Sequence, residues 1–181
     1  MPDDRSRTAK ASPVPVALIL FAALVLSACV QSETPLLAGS NPLLGTQFQL
    51  DLYRDFAAGK ALSAKTSVFR WNDNHYALVS GDSSGVEYFV VQPIDGGNLL
   101  IEANEHDHMY LLGRKLAKGT YGIVPIDQND VDEAPRKRTC VTRNPVICTI
   151  HTRRQLDVFV RAAAAKTGGH VMVGVISATA R

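Results

Sequence analysis

The densest group of side chains that could do chemistry lies at residues 102–108, which contain Glu102, Glu105, His106, Asp107 and His108. His106 and His108 are two residues apart, so on a strand both imidazoles would leave the same face, a spacing that metal sites use. However, the group falls where a turn is expected, and the sequence places no further histidine beside it. A solvated hairpin loop is the favoured interpretation, with His106, His108 and Glu102 as candidate metal ligands.

A second candidate is the segment Gly81-Asp82-Ser83-Ser84-Gly85. It resembles the GDSGG of chymotrypsin-like proteases except at its fourth position, and its start resembles the GDS of a lipase and esterase family. Those lipases also need Asp three positions before a histidine, which none of the five histidines here has. Because a catalytic serine needs a bonded base and a group that orients that base, the segment favours a hairpin turn over a hydrolase site.

The overlapping segment Ser84-Gly85-Val86-Glu87-Tyr88 fits the S-G-x-x-Y element of envelope lysozyme inhibitors, which are small periplasmic or lipid-anchored β-barrels. By that resemblance, Ser84 and a lysine from a second motif would imitate substrate groups in an acidic cleft. The second motif, Tyr followed by Thr-Lys-Gly, is matched only loosely by Tyr110 and Lys118-Gly119. The resemblance implies an inhibitor of a cell-wall hydrolase.

Residues 127–138 are strongly charged. Their acidic members lack the Asp-x-Asp-x-Asp-Gly spacing and closing glutamate of a calcium loop; they are Asp127, Asp130, Asp132 and Glu133. The basic run Arg136-Lys137-Arg138 follows at once, so the stretch predicts a solvated loop whose charges compensate. Since long loops often carry function, it could instead dock a partner.

The N-terminus carries a specific motif. Basic residues precede eleven uninterrupted apolar residues at 16–26, and Leu26-Ser27-Ala28-Cys29 ends the run. A charged region, a short apolar region and small residues describe a secretory signal, and the run is shorter than the roughly 20 residues of a membrane span. The last four residues resemble the lipobox of bacterial lipoproteins. A plain secretory signal is the alternative.

The lipobox resemblance implies that residues 1–28 are removed and that Cys29 becomes acylated, with fatty acids such as palmitate. A diacylglycerol thioether with an amide-linked chain would hold the protein firmly on a bilayer. Val30 follows Cys29 where an aspartate would favour the inner membrane, so the outer membrane, facing the periplasm, is expected. The expected partners are the bilayer, through acylated Cys29, and another envelope protein.

Composition limits the remaining possibilities. Removing residues 1–28 from the 181 leaves 153 residues with 16 basic and 15 acidic side chains, enough for one domain. A net charge near +1 provides no basic field for phosphates, so no nucleic acid is expected. No cofactor is expected either, since the sequence has no phosphate-binding glycine loop and no HExxH.

Cys140 and Cys148 are the only thiols left once Cys29 is acylated. In an oxidising compartment such a pair predicts a disulfide, which would restrict the unfolded chain by about 2.5 kcal/mol. A zinc pair would need closer spacing and two further ligands.

The elements that must position these residues are mainly strands. Six β-rich runs, separated by short turn clusters, predict an antiparallel meander of five to six strands; they are 66–71, 75–80, 86–94, 98–104, 109–116 and 120–126. The apolar residues of 47–58 fit both the alternation of a strand and the spacing of one face of a helix. The helical spacing is slightly favoured, so a helix is predicted there. A final run at 170–176 could return as one more strand.

The best helix begins after Thr152, which forms a capping-box pattern with Gln155. Its apolar stripe predicts a helix packed on one face of the sheet; the residues are Leu156, Phe159, Val160, Ala163 and Ala164. We therefore expect an α+β fold with a signal peptide at 1–28, a lipidated cysteine and flexible tether at 29–45, and one domain at 46–181. The residues favour a non-enzymatic binding or structural accessory over a hydrolase or metal-dependent enzyme.

Overall fold

The computed structural model describes residues 30–39, 43–55, 60–61, 67–78, 87–104, 108–144, 147–166 and 172–178. Within these ranges it has twelve strands and two α-helices. The strands are β1 Val30–Ser32, β2 Gln47–Asp55, β3 Lys60–Ala61, β4 Ser67–Asn72, β5 His75–Leu78, β6 Tyr88–Pro93, β7 Leu99–Asn104, β8 His108–Ala117, β9 Thr120–Pro125, β10 Val141–Asn144, β11 Ile147–Thr149 and β12 Gly174–Ala178. The helices are α1 Glu133–Thr139 and α2 Arg153–Ala165.

Eight strands close into an antiparallel up-and-down barrel in the order β2, β4, β5, β6, β7, β8, β9 and β12. Closure depends on β12, which pairs with β2 on one side and with β9 on the other. The predicted α+β class with an open meander is therefore wrong, because the two ends of the meander are joined by this distant strand. Outside the barrel, β1, β11 and β10 extend the sheet from β8, and β3 pairs with β2.

The helix predicted over 47–58 is also wrong, because residues 47–55 form strand β2. Phe48 and Leu50 are buried, whereas Gln49 and Asp51 are only half-buried. Burial on every second residue is the period of a strand. The apolar residues that had suggested one face of a helix are therefore spaced by this strand period. Long-range pairing with β4 and β12 decided between the two patterns.

The barrel interior is packed with its own side chains, which we call the inner core. Its buried members are Leu44, Phe48, Leu50, Phe69, Tyr76, Phe89, Val91, Leu99, Ile101, Ala103, Ile123 and Ile176. Phe69 contacts two other rings of this core, with its ring centroid 4.9 Å from that of Phe48 and 4.6 Å from that of Phe89. Trp71 packs against this group, with its ring 5.3 Å from Tyr76.

A second cluster, the outer core, lies on the outside of the same barrel wall. The alternate residues Val90, Leu100, Leu112 and Val124 of β6 to β9 point outward into it. Helix α2 covers them with the apolar stripe that the sequence predicted, and Val30, Leu37, Cys148 and Ile150 complete the cover. The capping box at the start of α2 is confirmed, since Gln155 N–H donates to Thr152 Oγ1 and Thr152 N–H donates to Gln155 Oε1.

Residues 30–39, which we call the N-terminal strap, run over this outer face. Strand β1 pairs with β8 and with β11, and Val30 and Leu37 are buried. At the far end of the strap, Gln92 Nε2 donates to the Gly39 carbonyl over 2.7 Å. The described part of the stretch expected to be a flexible tether therefore packs on the barrel, because its apolar residues find a place in the outer core.

The strap leads to a turn at residues 43–46 that joins the inner core. Leu44 is buried there, and the Tyr76 hydroxyl accepts from Leu44 N–H and donates to the Gly45 carbonyl over 2.7 Å. Burial raises the pKa of Tyr76 above its usual value.

The stretch predicted as a charged loop at 127–138 is instead largely ordered into short helices. A 3₁₀ turn at Gln128–Asp130 is capped reciprocally by Asp127 and Asp130, and α1 follows. These local hydrogen bonds explain why charged residues form structure here. The predicted disulfide between Cys140 and Cys148 is confirmed, and it links the end of α1 to β11.

Candidate functional site

One buried carboxylate stands out among the described residues. Glu102 on β7 is 1% exposed, and it points outward from the barrel beneath the N-terminal strap. Ionised carboxylates are almost never fully buried unless their charge is paired and hydrogen-bonded. The partners of Glu102 therefore define the site.

Those partners come from the strap and from the neighbouring strand. Glu102 Oε2 accepts the backbone N–H of Leu37 over 2.9 Å and that of Leu36 over 3.2 Å. Glu102 Oε1 lies 3.0 Å from His108 Nδ1 on β8. The geometry of this close contact is not that of a hydrogen bond, and His108 Nδ1 has no hydrogen-bond partner among the described residues.

A tyrosine and a serine extend the site. The Tyr110 hydroxyl lies 2.7 Å from Ser32 Oγ, and Ser32 Oγ donates to the Thr34 carbonyl over 2.6 Å. Because Ser32 has one hydroxyl proton and gives it to Thr34, Tyr110 is the donor in the bond between them. Burial raises the pKa of Tyr110 strongly, and the negative charge of Glu102 adds to the effect.

We call Glu102, His108, Tyr110 and Ser32 the strap latch. Ser32 is 1% exposed, and its proton is engaged with a backbone carbonyl rather than with a base. Nucleophilic catalysis needs a serine that a base activates and that a substrate can reach. The arrangement instead fixes residues 32–37 of the strap to the barrel wall.

The structure brings together two of the three candidate metal ligands. Glu102 and His108 are in contact, whereas His106 lies outside the described residues, as do Glu105 and Asp107. Among the residues that the structure describes, no group of three His, Cys, Asp or Glu side chains could hold a metal ion. Two of the acceptor positions on Glu102 are already taken by strap N–H groups.

The sequence contained a signal for one of the residues that the prediction missed. Strands β7 and β8 pair Glu102 with Tyr110, and an antiparallel pairing of the two predicted runs at 98–104 and 109–116 would have placed the tyrosine beside the carboxylate. Ser32 and the strap N–H groups carried no such signal, because they lie more than sixty residues away in the chain.

The serine motifs fall mostly outside the described residues. Gly81-Asp82-Ser83-Ser84-Gly85 lies outside the described residues. Tyr88, the last residue of the inhibitor-like motif, is 37% exposed at the start of β6, with its ring 6.0 Å from that of His75. Lys118 of the second motif is exposed in the turn between β8 and β9.

The confirmed disulfide places three segments side by side. Cys148 on β11 is the register partner of Val30 on β1, and it bonds to Cys140, which directly follows α1. The basic end of α1 and the first residue of the strap are thereby fixed close together. Cys29, the predicted site of acylation, directly precedes Val30 and lies outside the described residues.

The fold and the site define a closed up-and-down β-barrel whose N-terminal strap is latched to its outer wall. No known protein family, curated protein or solved structure matches this chain. Among the described helices, none has the length and the apolar character to cross a membrane.

Proposed function

We propose that this chain is a cell-envelope lipoprotein, held on the outer membrane by acylated Cys29, with its barrel in the periplasm. We further propose that the barrel is a non-enzymatic module that binds or scaffolds another envelope component. The observation that carries the proposal is that Val30, the residue after Cys29, is paired in strand β1 and fully buried.

This position decides how an anchored barrel would sit. Consecutive Cα atoms are about 3.8 Å apart, and Val30 is fully buried. Acyl chains on Cys29 would therefore begin one residue away from a packed strand that the strap latch holds in place. An anchor of this kind keeps the barrel against the bilayer, where its partners would be other components at the membrane surface.

The packing of the described residues supports binding rather than chemistry in the interior. Ligand sites are concave and carry a few converging polar groups. The inner core instead consists of apolar side chains in mutual contact, and the strap latch directs its polar groups at the strap. A partner would then be met on the outer surface of the barrel.

The anchor is tested by feeding cells a fatty acid with an alkyne tag and measuring the intact mass of the purified protein. We expect label and a mass that begins at residue 29 in the wild type, and neither in Cys29→Ser. An unlabelled wild-type chain that keeps residues 1–28 would overturn the proposal.

The binding role is tested by cross-linking intact envelopes and isolating the protein. A flexible Gly/Ser insert of roughly ten residues between Cys29 and Val30 would move the barrel about 17 Å from its anchor. We expect a specific cross-linked partner with the wild type and much less of it with the insert. Recovery of no partner above background would count against this role.

A second candidate, an inhibitor of a cell-wall hydrolase, is favoured by one observation. The chain is a closed β-barrel, which is the fold of the lysozyme inhibitors that Ser84 to Tyr88 resembles. Inhibition of lysozyme by the wild type and not by Ser84→Ala would support this candidate, and a fully active lysozyme would remove it.

A further inference from the structure

We propose that the basic end of α1, together with exposed Val141, lies on the anionic headgroups of the bilayer that holds Cys29. We call Arg136, Lys137, Arg138 and Val141 the basic surface. The inference rests on the proposed acylation of Cys29 and extends it to the orientation of the barrel on the membrane.

The basic end of α1 lies a short distance from the anchor. The Cα of Cys29 is about 3.8 Å from that of Val30, and neighbouring strands such as β1 and β11 are about 4.8 Å apart. Val30 pairs with Cys148, whose Cα is 5.0 Å from that of Cys140. The Cα atoms of Cys29 and Cys140 are therefore no more than about 14 Å apart.

Positive charge is concentrated at the end of α1 that adjoins the disulfide. The last turn of α1 carries Arg136, Lys137 and Arg138 immediately before Cys140. Lys137 pairs with Glu133, and Arg136 Nη1 donates to Asn129 Oδ1. Three aspartates also precede the helix, Asp127, Asp130 and Asp132. The seven residues of α1 span about 10 Å, so Asp132 and Glu133 lie toward the opposite end of the helix from Arg138.

Arg138, in the last turn of α1 and two residues before Cys140, is therefore the basic residue of this helix that lies nearest the anchor and farthest from its acidic end. Charges of this kind act over a Debye length of about 8 Å at physiological salt. The polar headgroup layer on each side of a bilayer is of similar thickness, roughly 5 to 8 Å. Arginine and lysine side chains are long enough to cross much of the remaining distance.

An exposed apolar residue adjoins these charges. Val141 begins the edge strand β10 and is 47% exposed, although it directly follows a disulfide-bonded cysteine. Basic residues next to an apolar one are typical of surfaces that bind the boundary between headgroups and acyl chains. The disulfide holds this basic surface and the strap in one rigid arrangement, so the anchor delivers it to the membrane.

The test uses the full acylated chain, purified in detergent and reconstituted into vesicles that contain brominated phosphatidylcholine as a quencher. One variant is Val141→Trp, and its matched control is Leu116→Trp, at a residue 50% exposed in the hairpin between β8 and β9. Leu116 is seven residues along β8 from Met109, the partner of Gln31, which is about 23 Å. The wild type, with only Trp71, gives the background.

With phosphatidylglycerol in the vesicles, we expect bromine to quench the tryptophan at position 141 and to leave the one at 116 near the background. Lys137→Gln and Arg138→Gln, added to Val141→Trp, should each lower the ratio of docked to undocked protein about fivefold. In vesicles of phosphatidylcholine alone, the ratio of docked to undocked protein should also fall for Val141→Trp.

Quenching at position 116 instead of 141 would overturn the inference, because it would show that the part of the barrel around Leu116 faces the membrane. Quenching at neither position would also overturn it, and would leave the basic surface for an acidic protein partner. The intact mass separates the two proposals. An acylated chain without quenching contradicts only the orientation, whereas a chain without acyl groups contradicts the proposed function and the orientation with it.

Discussion

The inner and outer cores share the strands of one barrel wall but are built differently. The inner core is apolar and aromatic, and its residues lie on strands and turns of the barrel itself. The outer core joins the same wall to the strap, to α2 and to β11, and a buried carboxylate, tyrosine and serine lie beside it.

Because of this difference, the inner core determines the stability of the barrel, and the outer face determines which segment of the chain covers it. Apolar packing in the inner core stabilises the barrel without selecting one covering segment over another. The strap latch selects, because Glu102 accepts two particular backbone N–H groups that only residues 36 and 37 supply in this geometry. We therefore expect the inner core to determine whether the chain folds and the latch to determine how it is covered.

The largest effect should come from Phe69→Ala in the inner core. Phe69 is 1% exposed and contacts the rings of Phe48 and Phe89, so its removal leaves a cavity that the closed barrel cannot fill. We expect a loss of about 3 to 5 kcal/mol in the free energy of unfolding, measured by denaturant titration. Val158→Ala, at an exposed position on α2, serves as the control and should change it by less than about 0.5 kcal/mol. A small effect of Phe69→Ala would mean that the aromatic cluster is loosely packed.

The latch should give a smaller and more local effect. Glu102→Ala leaves the N–H groups of Leu36 and Leu37 without their acceptor, at a cost of about 2 to 3 kcal/mol. We expect hydrogen exchange to accelerate at the backbone amides of the strap. It should stay slow in β4 and β5, whose buried residues belong to the inner core.

Glu102→Gln is the matched variant, since its side-chain oxygen can still accept from both N–H groups. It should retain most of the protection of the strap. If Glu102→Ala accelerated exchange equally in the strap and in β4 and β5, the inner and outer cores would unfold as one unit. The two cores would then not differ in the way proposed above.

Local patterns made the wall of the barrel predictable. The run at 98–104 became β7 at Leu99–Asn104, and the turn cluster between the runs at 66–71 and 75–80 has positive φ at Asp73 and Asn74. Alternation and turn chemistry act between residues close in the chain, so the sequence displays them directly.

The closure of the barrel by β12 and the packing of the strap on its outer wall were not predictable from local patterns. β12 joins both β2 and β9, and a short run such as Gly174–Ala178 carries no mark of which strands it pairs with. Within the site, residue type drew attention to Glu102 and His108. The N–H groups of Leu36 and Leu37 belong to the backbone, which every residue has, so their role depends on the fold alone.

Alkaline pH should affect both cores through their buried tyrosines. Burial raises the pKa of Tyr110 strongly and that of Tyr76 to a lesser degree, from the ordinary value of 10.0. Above pH 10.0 the unfolded chain loses the phenolic protons that the folded chain keeps, so stability falls as pH rises. Each tyrosine should contribute up to about 1.4 kcal/mol per pH unit.

Unfolding titrations between neutral pH and the alkaline range check this slope. Tyr110→Phe and Tyr76→Phe should each make it shallower, with the larger reduction for Tyr110. Equal slopes in the wild type and both variants would show that other groups cause the alkaline loss.

The smallest effect concerns the helix that covers the outer core. Thr152→Ala removes the oxygen that accepts the N–H of Gln155 at the start of α2, at a cost of about 1 kcal/mol. Thr152→Ser keeps that oxygen and should restore most of the loss. Because Leu156 and Phe159 tie α2 to the same cluster as Val30, the substitution should also speed hydrogen exchange in the strap. A loss of stability confined to α2 would mean that helix and strap cover the barrel independently, and the outer core would then be two separate contacts with the wall.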